Sequence, residues 1–324
     1  MSASWTWHGG GLDAARRHFG DGPWIDLSTG INPHAWPDAS AVYVDWQRLP
    51  EREALTELEG AAAACFGVHP RHVCAVPGTE IGLRLVGWIV GGPARYVSPS
   101  YRTHGEMMPT ATPITIEQAM VSDATLILAN PNNPDGRVLP RAALLALVAR
   151  RREGAWLLLD EAFADADPAI SIADKIDDAH PLAVFRSFGK FFGLAGVRLG
   201  FVLAPTPVVA ALRDMLGAWP VSAAAIAIGT AAYRDAAWIE AVRQRLEVDA
   251  SALDRMLATA GLRAIGGCPL FRLIETEAAP MLFERLARRA ILTRPFADTP
   301  RWLRIGLPTD DAAMDRLGRA LSDG

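Results

Sequence analysis

The chain has 324 residues, 50% of them hydrophobic and 21% charged, and a formal net charge of −4. That length accommodates one large domain and a smaller one, and a mildly acidic chain without a basic arm has no electrostatic footing for nucleic acid. The longest apolar stretch, Ile81 to Gly92, is too short to span a bilayer and carries Arg84, and the N-terminus lacks a charged segment leading into an apolar core, so a cytoplasmic protein with no membrane partner is expected.

An N-terminal arm runs to about residue 45 and holds His8-Gly9-Gly10-Gly11 and the segment Ile25 to Pro33. Helix-like and strand-like segments then alternate to about residue 205, the pattern of an α/β domain on a mainly parallel sheet. Glu51 to Phe66 and Pro140 to Arg152 have helical apolar spacing, and Pro77-Gly78-Thr79-Glu80 opens a further helix-like stretch. Residues 124–129, 155–160, 182–187 and 199–204 read as short buried strands, while the alanine-rich runs 61–64 and 223–232 suit helix packing. From about Ala236 a long amphipathic helix leads into a smaller α+β region with strand-like 269–275 and 302–306. The expected division is 1–45 as arm and part of a small domain, 46–235 as the large domain and 236–324 as the small one. Cys65, Cys74 and Cys268 are odd in number and lack metal spacing, so buried structural thiols are expected. His69 and His72 fall in a short loop without further ligands nearby, and no metal is expected.

The chemistry-bearing residues fall at strand ends or in the loops that follow, where open α/β sheets bind ligands. Lys190 has Ser187 three residues before it, Arg198 eight after it and glycines on both sides. A lysine amine that condenses with an aldehyde must be partly desolvated to be nucleophilic near neutrality, and Phe191-Phe192 is a candidate for that apolar wall. The Ser187 hydroxyl and the Arg198 guanidinium suit a dianionic phosphate, and backbone N–H groups where Gly78, Thr79 and Glu80 open a helix make a phosphate cup. Asn133 lies in Asn130-Pro131-Asn132-Asn133-Pro134-Asp135-Gly136, which taken alone is a tight turn. Asp160 ends an apolar strand, where a turn cap is the plain alternative, and Arg304 offers a planar fork to a carboxylate or is an ordinary surface charge.

Together and in this order, these residues resemble the fold-type-I family of pyridoxal-phosphate enzymes, which includes the aspartate and histidinol-phosphate aminotransferases. The resemblance implies a large domain on a mainly parallel seven-stranded sheet with a smaller C-terminal α+β domain, and pyridoxal 5'-phosphate as cofactor. It assigns the cofactor aldehyde to Lys190 and the protonated ring nitrogen to Asp160. The phenolic oxygen falls to Asn133, the phosphate to Gly78, Thr79, Glu80, Ser187 and Arg198, and the substrate carboxylate to Arg304. A homodimer is implied as well. Three positions depart from the family pattern. His104 stands where an aromatic residue stacks on the ring, with Tyr101 as the competing candidate; Phe163 replaces a tyrosine that assists Asn133; and Leu49 replaces a tyrosine that reaches the partner subunit's phosphate.

The N-terminus separates the branches. His8-Gly9-Gly10-Gly11 and Ser28-Thr29-Gly30-Ile31-Asn32-Pro33 resemble the opening of the threonine-phosphate decarboxylases of cobalamin biosynthesis, and the likeness extends over nearly the whole chain. That branch implies a small phosphorylated amino acid as substrate, with Asn32 and Arg304 orienting its carboxylate and His8 holding its phosphate. On the plainer reading the glycines are a flexible terminus and 28–33 is a turn. An aminotransferase of the histidinol-phosphate type would share every cofactor residue. A non-catalytic regulator on the same scaffold would need a separate DNA-binding domain and a basic face, which the sequence lacks.

Overall fold

The computed structural model describes Trp5 and residues 8–322. The chain forms two compact units, one comprising Ala35–Asn133 and Val138–Ala241, the other the chain up to His34, Pro134–Arg137 and Val242 onward. The second main boundary lies inside a continuous helix, Ala236–Thr259, so no change of composition marks it. The four-residue piece Pro134–Arg137 joins the smaller unit by backbone contact: a Cβ on Gly136 would lie 2.3 Å from the carbonyl carbon of Gly267.

The first strand, β1 (Ile25–Asp26), belongs to the smaller unit. The larger unit is built on β2 (Val73–Val76), β3 (Ala94–Val97), β4 (Thr112–Ile114), β5 (Thr125–Ala129), β6 (Leu157–Asp160), β7 (Leu182–Ser187) and β8 (Gly200–Leu203). These form one seven-stranded sheet in the order β2-β8-β7-β6-β5-β3-β4, parallel except at β8, which runs antiparallel to both neighbours. Every residue of β2, β5, β6 and β8 is buried, which explains their apolar sequences: a sheet covered on both faces leaves no polar side to alternate with. The expected α/β class and mainly parallel sheet are therefore present. β2, β3 and β4 are strands that the sequence did not mark; β3 carries Arg95 in its middle, and β4 is three residues long with Pro113 inside it.

Two helices flank the sheet by close packing. The helix Arg52–Phe66 ends at Gly67, which takes a left-handed φ of 68° and returns its N–H to Ala63. It packs on the helix Ala223–Arg234, whose Ser222 accepts a capping hydrogen bond from the Ala225 N–H. Gly229 permits the approach, since a Cβ there would stand 2.8 Å from Leu58 Cδ1. The alanine-rich runs serve this contact.

In the smaller unit β1 pairs with β11 (Ile291–Leu292), and a four-stranded antiparallel sheet runs β12-β13-β10-β9, where β9 is Ala264–Cys268, β10 Phe271–Glu275, β12 Arg294–Pro295 and β13 Trp302–Gly306. Cys74 and Cys268 are buried and burial raises their thiols to about 12 and about 11, whereas Cys65 is only half-buried. His72 is also buried, its Nδ1 3.0 Å from the Ala204 carbonyl, so it serves the packing of a short turn at Pro70–His72. No helix among the described residues is long and apolar enough to cross a membrane.

Candidate active site

At the C-terminal ends of β5, β6 and β7 a pocket opens in the larger unit, lined among others by Gly78, Thr79, Glu80, Asn133, Asp160, Ser187, Lys190 and Arg198. Eight of the positions singled out from the sequence thus converge on one cavity. Their convergence follows from the parallel sheet, which delivers successive strand ends to the same edge.

Lys190 sits in a single helical turn, Phe188–Phe191, that begins as β7 ends. Gly189 allows the turn, because a Cβ there would lie 2.7 Å from Ala195 Cα. The lysine Nζ stands 5.7 Å from the centroid of the Phe163 ring, which is 4% exposed and lines the pocket. The apolar wall is therefore Phe163, not Phe191-Phe192. Phe192 stacks on Phe188 and Trp238, and Phe191 packs edge-on against Trp238, because residues one and two places along a helical turn point away from the lysine.

On the other side of the pocket, the helix Thr79–Val90 starts at Gly78, whose φ is 89°. A Cβ on Gly78 would fall 2.7 Å from Arg198 Nη2, and one on Gly200 would fall 2.6 Å from the Thr79 backbone nitrogen. Two glycines thus keep open a cradle bounded by a helix N-terminus, a guanidinium and the Ser187 side chain. Arg198 holds a left-handed φ of 56°, a strained conformation for a residue with a Cβ that costs about 1–2 kcal/mol. Such outliers concentrate where function fixes a side chain. The cradle is braced from beneath: Thr79 Oγ1 donates to the Arg186 carbonyl at 3.2 Å, and the buried Arg186 side chain bonds Glu161, Asp165 and Ser171. The two carboxylates outweigh burial and keep Arg186 protonated.

Asp160 is 6% exposed at the end of β6. Its Oδ1 accepts from the Ala162 N–H at 3.0 Å, so it does cap the turn, while Oδ2 lies 3.1 Å from His104 Nε2. A carboxylate only accepts, so Nε2 carries the proton. His104 is fully buried and is not among the residues that line the pocket, against the ring-stacking place expected for it, whereas the competing candidate Tyr101 does line it. Asn130 and Asn132 serve backbone, the first exchanging two hydrogen bonds with Leu139 and the second donating to the Pro99 carbonyl, while Asn133 lines the pocket.

These features fit pyridoxal phosphate. An amine on an apolar wall, a buried carboxylate, and a glycine-lined cradle beside a guanidinium and a helix N-terminus match its aldehyde, ring nitrogen and phosphate.

In the smaller unit, Ser28 gathers the N-terminal motifs. Its hydroxyl donates to Asp26 Oδ1 at 2.6 Å and accepts from the Gly10 N–H at 2.8 Å, and its carbonyl accepts from Arg304 Nη2 at 3.0 Å. Gly9 lies so close that a Cβ would be 2.4 Å from the Ser28 oxygen. His8 itself is exposed, its Nδ1 3.1 Å from the Gly9 carbonyl. Asn32 is 2% exposed, and its Oδ1 accepts from the His34 N–H at 2.9 Å. Arg304 is buried in β13 over the Phe271 ring, and burial together with the charge of Arg294 lowers its pKa to about 10. Arg294 is its cross-strand partner in β12, a second cation that sequence reasoning passed over because only the strand register reveals the pair.

The chain matches the family Aminotransferase class I and II over residues 101–321. A threonine-phosphate decarboxylase from Sinorhizobium sp is 41% identical, with 97% of this chain and 97% of that protein covered. A second, from Pseudomonas aeruginosa, is 40% identical, with 97% and 96% covered. The crystal structure of histidinol-phosphate aminotransferase from Sinorhizobium meliloti in complex with pyridoxal-5'-phosphate has a TM-score of 0.84 at 21% identity, with 97% of this chain and 94% of that one covered, and shares the fold. On the extent of the family match and the near-complete alignment with these relatives, the chain belongs to the aminotransferase class I and II family.

Proposed function

We propose that the protein is a pyridoxal-phosphate-dependent lyase that converts L-threonine O-3-phosphate to (R)-1-amino-2-propanol O-2-phosphate and carbon dioxide in cobalamin biosynthesis. The observation that carries the reaction is identity of 40–41% to two threonine-phosphate decarboxylases over 97% of the chain. The pocket around Lys190 carries the cofactor.

When bound, pyridoxal phosphate supplies an aldehyde for the substrate amine and an electron sink for the pair left at Cα when the carboxylate departs. Lys190 presents its amine from the Phe163 wall and returns a proton to Cα. Asp160 holds a proton at the ring nitrogen. Gly78 and Thr79 supply backbone N–H groups, and Ser187 and Arg198 supply side-chain donors, to the phosphate. Asn133 donates to the phenolic oxygen without the help of a hydroxyl at position 163, which is a phenylalanine. Asn32 and Arg304 orient the substrate carboxylate, with Arg294 beside Arg304 as a further cation suited to a doubly anionic substrate. His8 reaches the substrate phosphate from the arm anchored at Ser28.

Purified protein given pyridoxal phosphate and threonine phosphate, with no oxo acid, is expected to release carbon dioxide over many turnovers. Conversion that halts after one equivalent and resumes on adding 2-oxoglutarate would instead identify an aminotransferase. The protein works in the cytoplasm as a homodimer on this reading. Tyr43, Trp46 and Leu49 are 84%, 78% and 62% exposed in one short segment, beside a groove that also involves the helix Ala223–Arg234, and an exposed apolar patch of this kind suits a second copy of the chain. Sedimentation equilibrium should give twice 34.8 kDa, and a single-chain mass at micromolar concentration would rule the dimer out.

A further inference from the structure

We infer that Glu80 is a positioning residue: its carboxylate grips the Tyr101 hydroxyl and so fixes the tilt of the ring that walls the Lys190 pocket. The inference rests on the proposed function for what that ring faces, and it adds a side-chain role to the backbone N–H that Glu80 offers at the helix N-terminus.

Glu80 is the second residue of the helix Thr79–Val90, beside the cradle, where a bare carboxylate would repel a phosphate. Both its oxygens are instead committed elsewhere. Oε2 accepts from the Tyr101 hydroxyl at 2.9 Å and from Thr103 Oγ1 at 2.6 Å, and Oε1 accepts from Arg84 Nε at 2.8 Å. Arg84 also bonds Glu106 at 2.7 Å, and Glu106 pairs with Arg102 at 2.9 Å, so the segment that carries Tyr101 is tied to the helix at several points. The same segment reaches the other functional carboxylate. Tyr101 lies edge-on to His104, with centroids 5.8 Å apart and planes at 85°, and His104 bonds Asp160. One short stretch of chain therefore connects the cradle helix to the pocket's buried acid.

The protonation states suit the grip. Burial, reinforced by the charge and hydrogen bond of Glu80, pushes the Tyr101 hydroxyl up to about 12, so it stays a donor. Burial alone would raise the Glu80 carboxyl, but hydrogen bonds from Thr103, Tyr101 and Arg84, with the charge of Arg84, outweigh it and hold it below its ordinary value. A lowered carboxyl contributes fully above its unfolded value of 4.5 and is lost as pH falls through the folded one; a raised phenol contributes fully below 10.0 and is lost as pH rises through about 12. The contact is complete between those limits.

The test uses full-length protein loaded with pyridoxal phosphate and four variants: Tyr101→Phe, Glu80→Ala, Glu80→Gln and the double variant Glu80→Ala/Tyr101→Phe. The readouts are the visible circular dichroism of the bound cofactor, which follows ring orientation, and cofactor affinity, both taken without substrate. Tyr101→Phe keeps the ring and loses only the hydroxyl. It and Glu80→Ala should each weaken affinity by about threefold to tenfold and alter the dichroism alike. The double variant should add nothing beyond Glu80→Ala, since the one interaction that Tyr101→Phe removes is already lost there together with those of Thr103 and Arg84, and Glu80→Gln should recover most of the wild-type signal. Additive losses in the double variant, or a Glu80→Ala dichroism equal to wild type, would overturn the inference. A wild-type protein that takes up no visible chromophore would instead remove the reading on which it rests.

Discussion

Lys190→Ala is expected to abolish the covalent attachment of pyridoxal phosphate and to lower turnover by on the order of 10⁴-fold or more, because one side chain both accepts the aldehyde and moves the proton at Cα. The fold should survive, since Lys190 lines the pocket and is not part of the buried core, and its contact with the Phe163 ring at 5.7 Å is an interaction of about 0.5–1 kcal/mol. The check is borohydride reduction followed by peptide mass analysis: wild-type protein should carry the cofactor on the peptide containing Lys190, and the variant should carry none. Label on a different lysine, or turnover retained by the variant, would remove Lys190 from its role. Phe163→Leu offers no escape from this reading, because it changes the wall and leaves the amine in place.

The cofactor motifs were legible because each is compulsory in local sequence. A strand end followed by a tight loop must show its glycines and prolines, and a parallel sheet then delivers those loops to one edge without further instruction. Asn133 illustrates the limit of that logic. Three asparagines occupy the same turn, two of them spent on backbone at Leu139 and Pro99, and the sequence alone cannot distinguish the one left for the pocket except by resemblance. Tyr101 and His104 illustrate a sharper failure. Counting along the segment put His104 on the ring, but the chain turns into the short helix Thr103–Glu106, which carries residue 104 inward behind Asp160 and leaves residue 101 at the wall. Glu80 shows a related limit, since a helix N-terminus marks an anion site in sequence through its backbone N–H groups without showing what its side chains bind.

The smaller unit was harder to read, and the cause is again physical. β9 contains Gly266 and Gly267, poor strand residues retained because Asp135 and Gly136 press on them: a Cβ on Gly266 would lie 2.0 Å from the Asp135 oxygen. A close backbone approach of this kind leaves only glycine in the sequence, and glycine reads as a break. The arm presents the same problem in reverse. Gly9 reads as flexibility, yet the structure uses its missing Cβ to seat the chain on Ser28, the residue that also receives Arg304. The motif that distinguishes the branches is therefore a packing motif around a buried arginine as much as a flexible terminus.

At Asp160 the expected effect is nearly as large as at Lys190 but of a different kind. Asp160→Asn should keep cofactor attachment and cut turnover by roughly 10²- to 10⁴-fold, because an amide does not hold a proton at the ring nitrogen as a carboxylate does. It should also cost stability. The asparagine carbonyl can take over the Ala162 N–H, but its NH₂ would then face His104 Nε2, which already carries a hydrogen. Relief requires His104 to move its proton to Nδ1, a fully buried atom with no hydrogen-bond partner among the described residues, at a cost of about 1–3 kcal/mol. The substitution thus trades one donor–acceptor pair for either a donor–donor contact or a buried unsatisfied N–H. Urea titration of the cofactor-free protein, where chemistry plays no part, should show the loss directly, and His104→Phe placed on top of Asp160→Asn should recover part of it by removing the conflict. An unchanged rate in Asp160→Asn would take Asp160 out of the active site; an unchanged midpoint would show that the histidine is not locked to it.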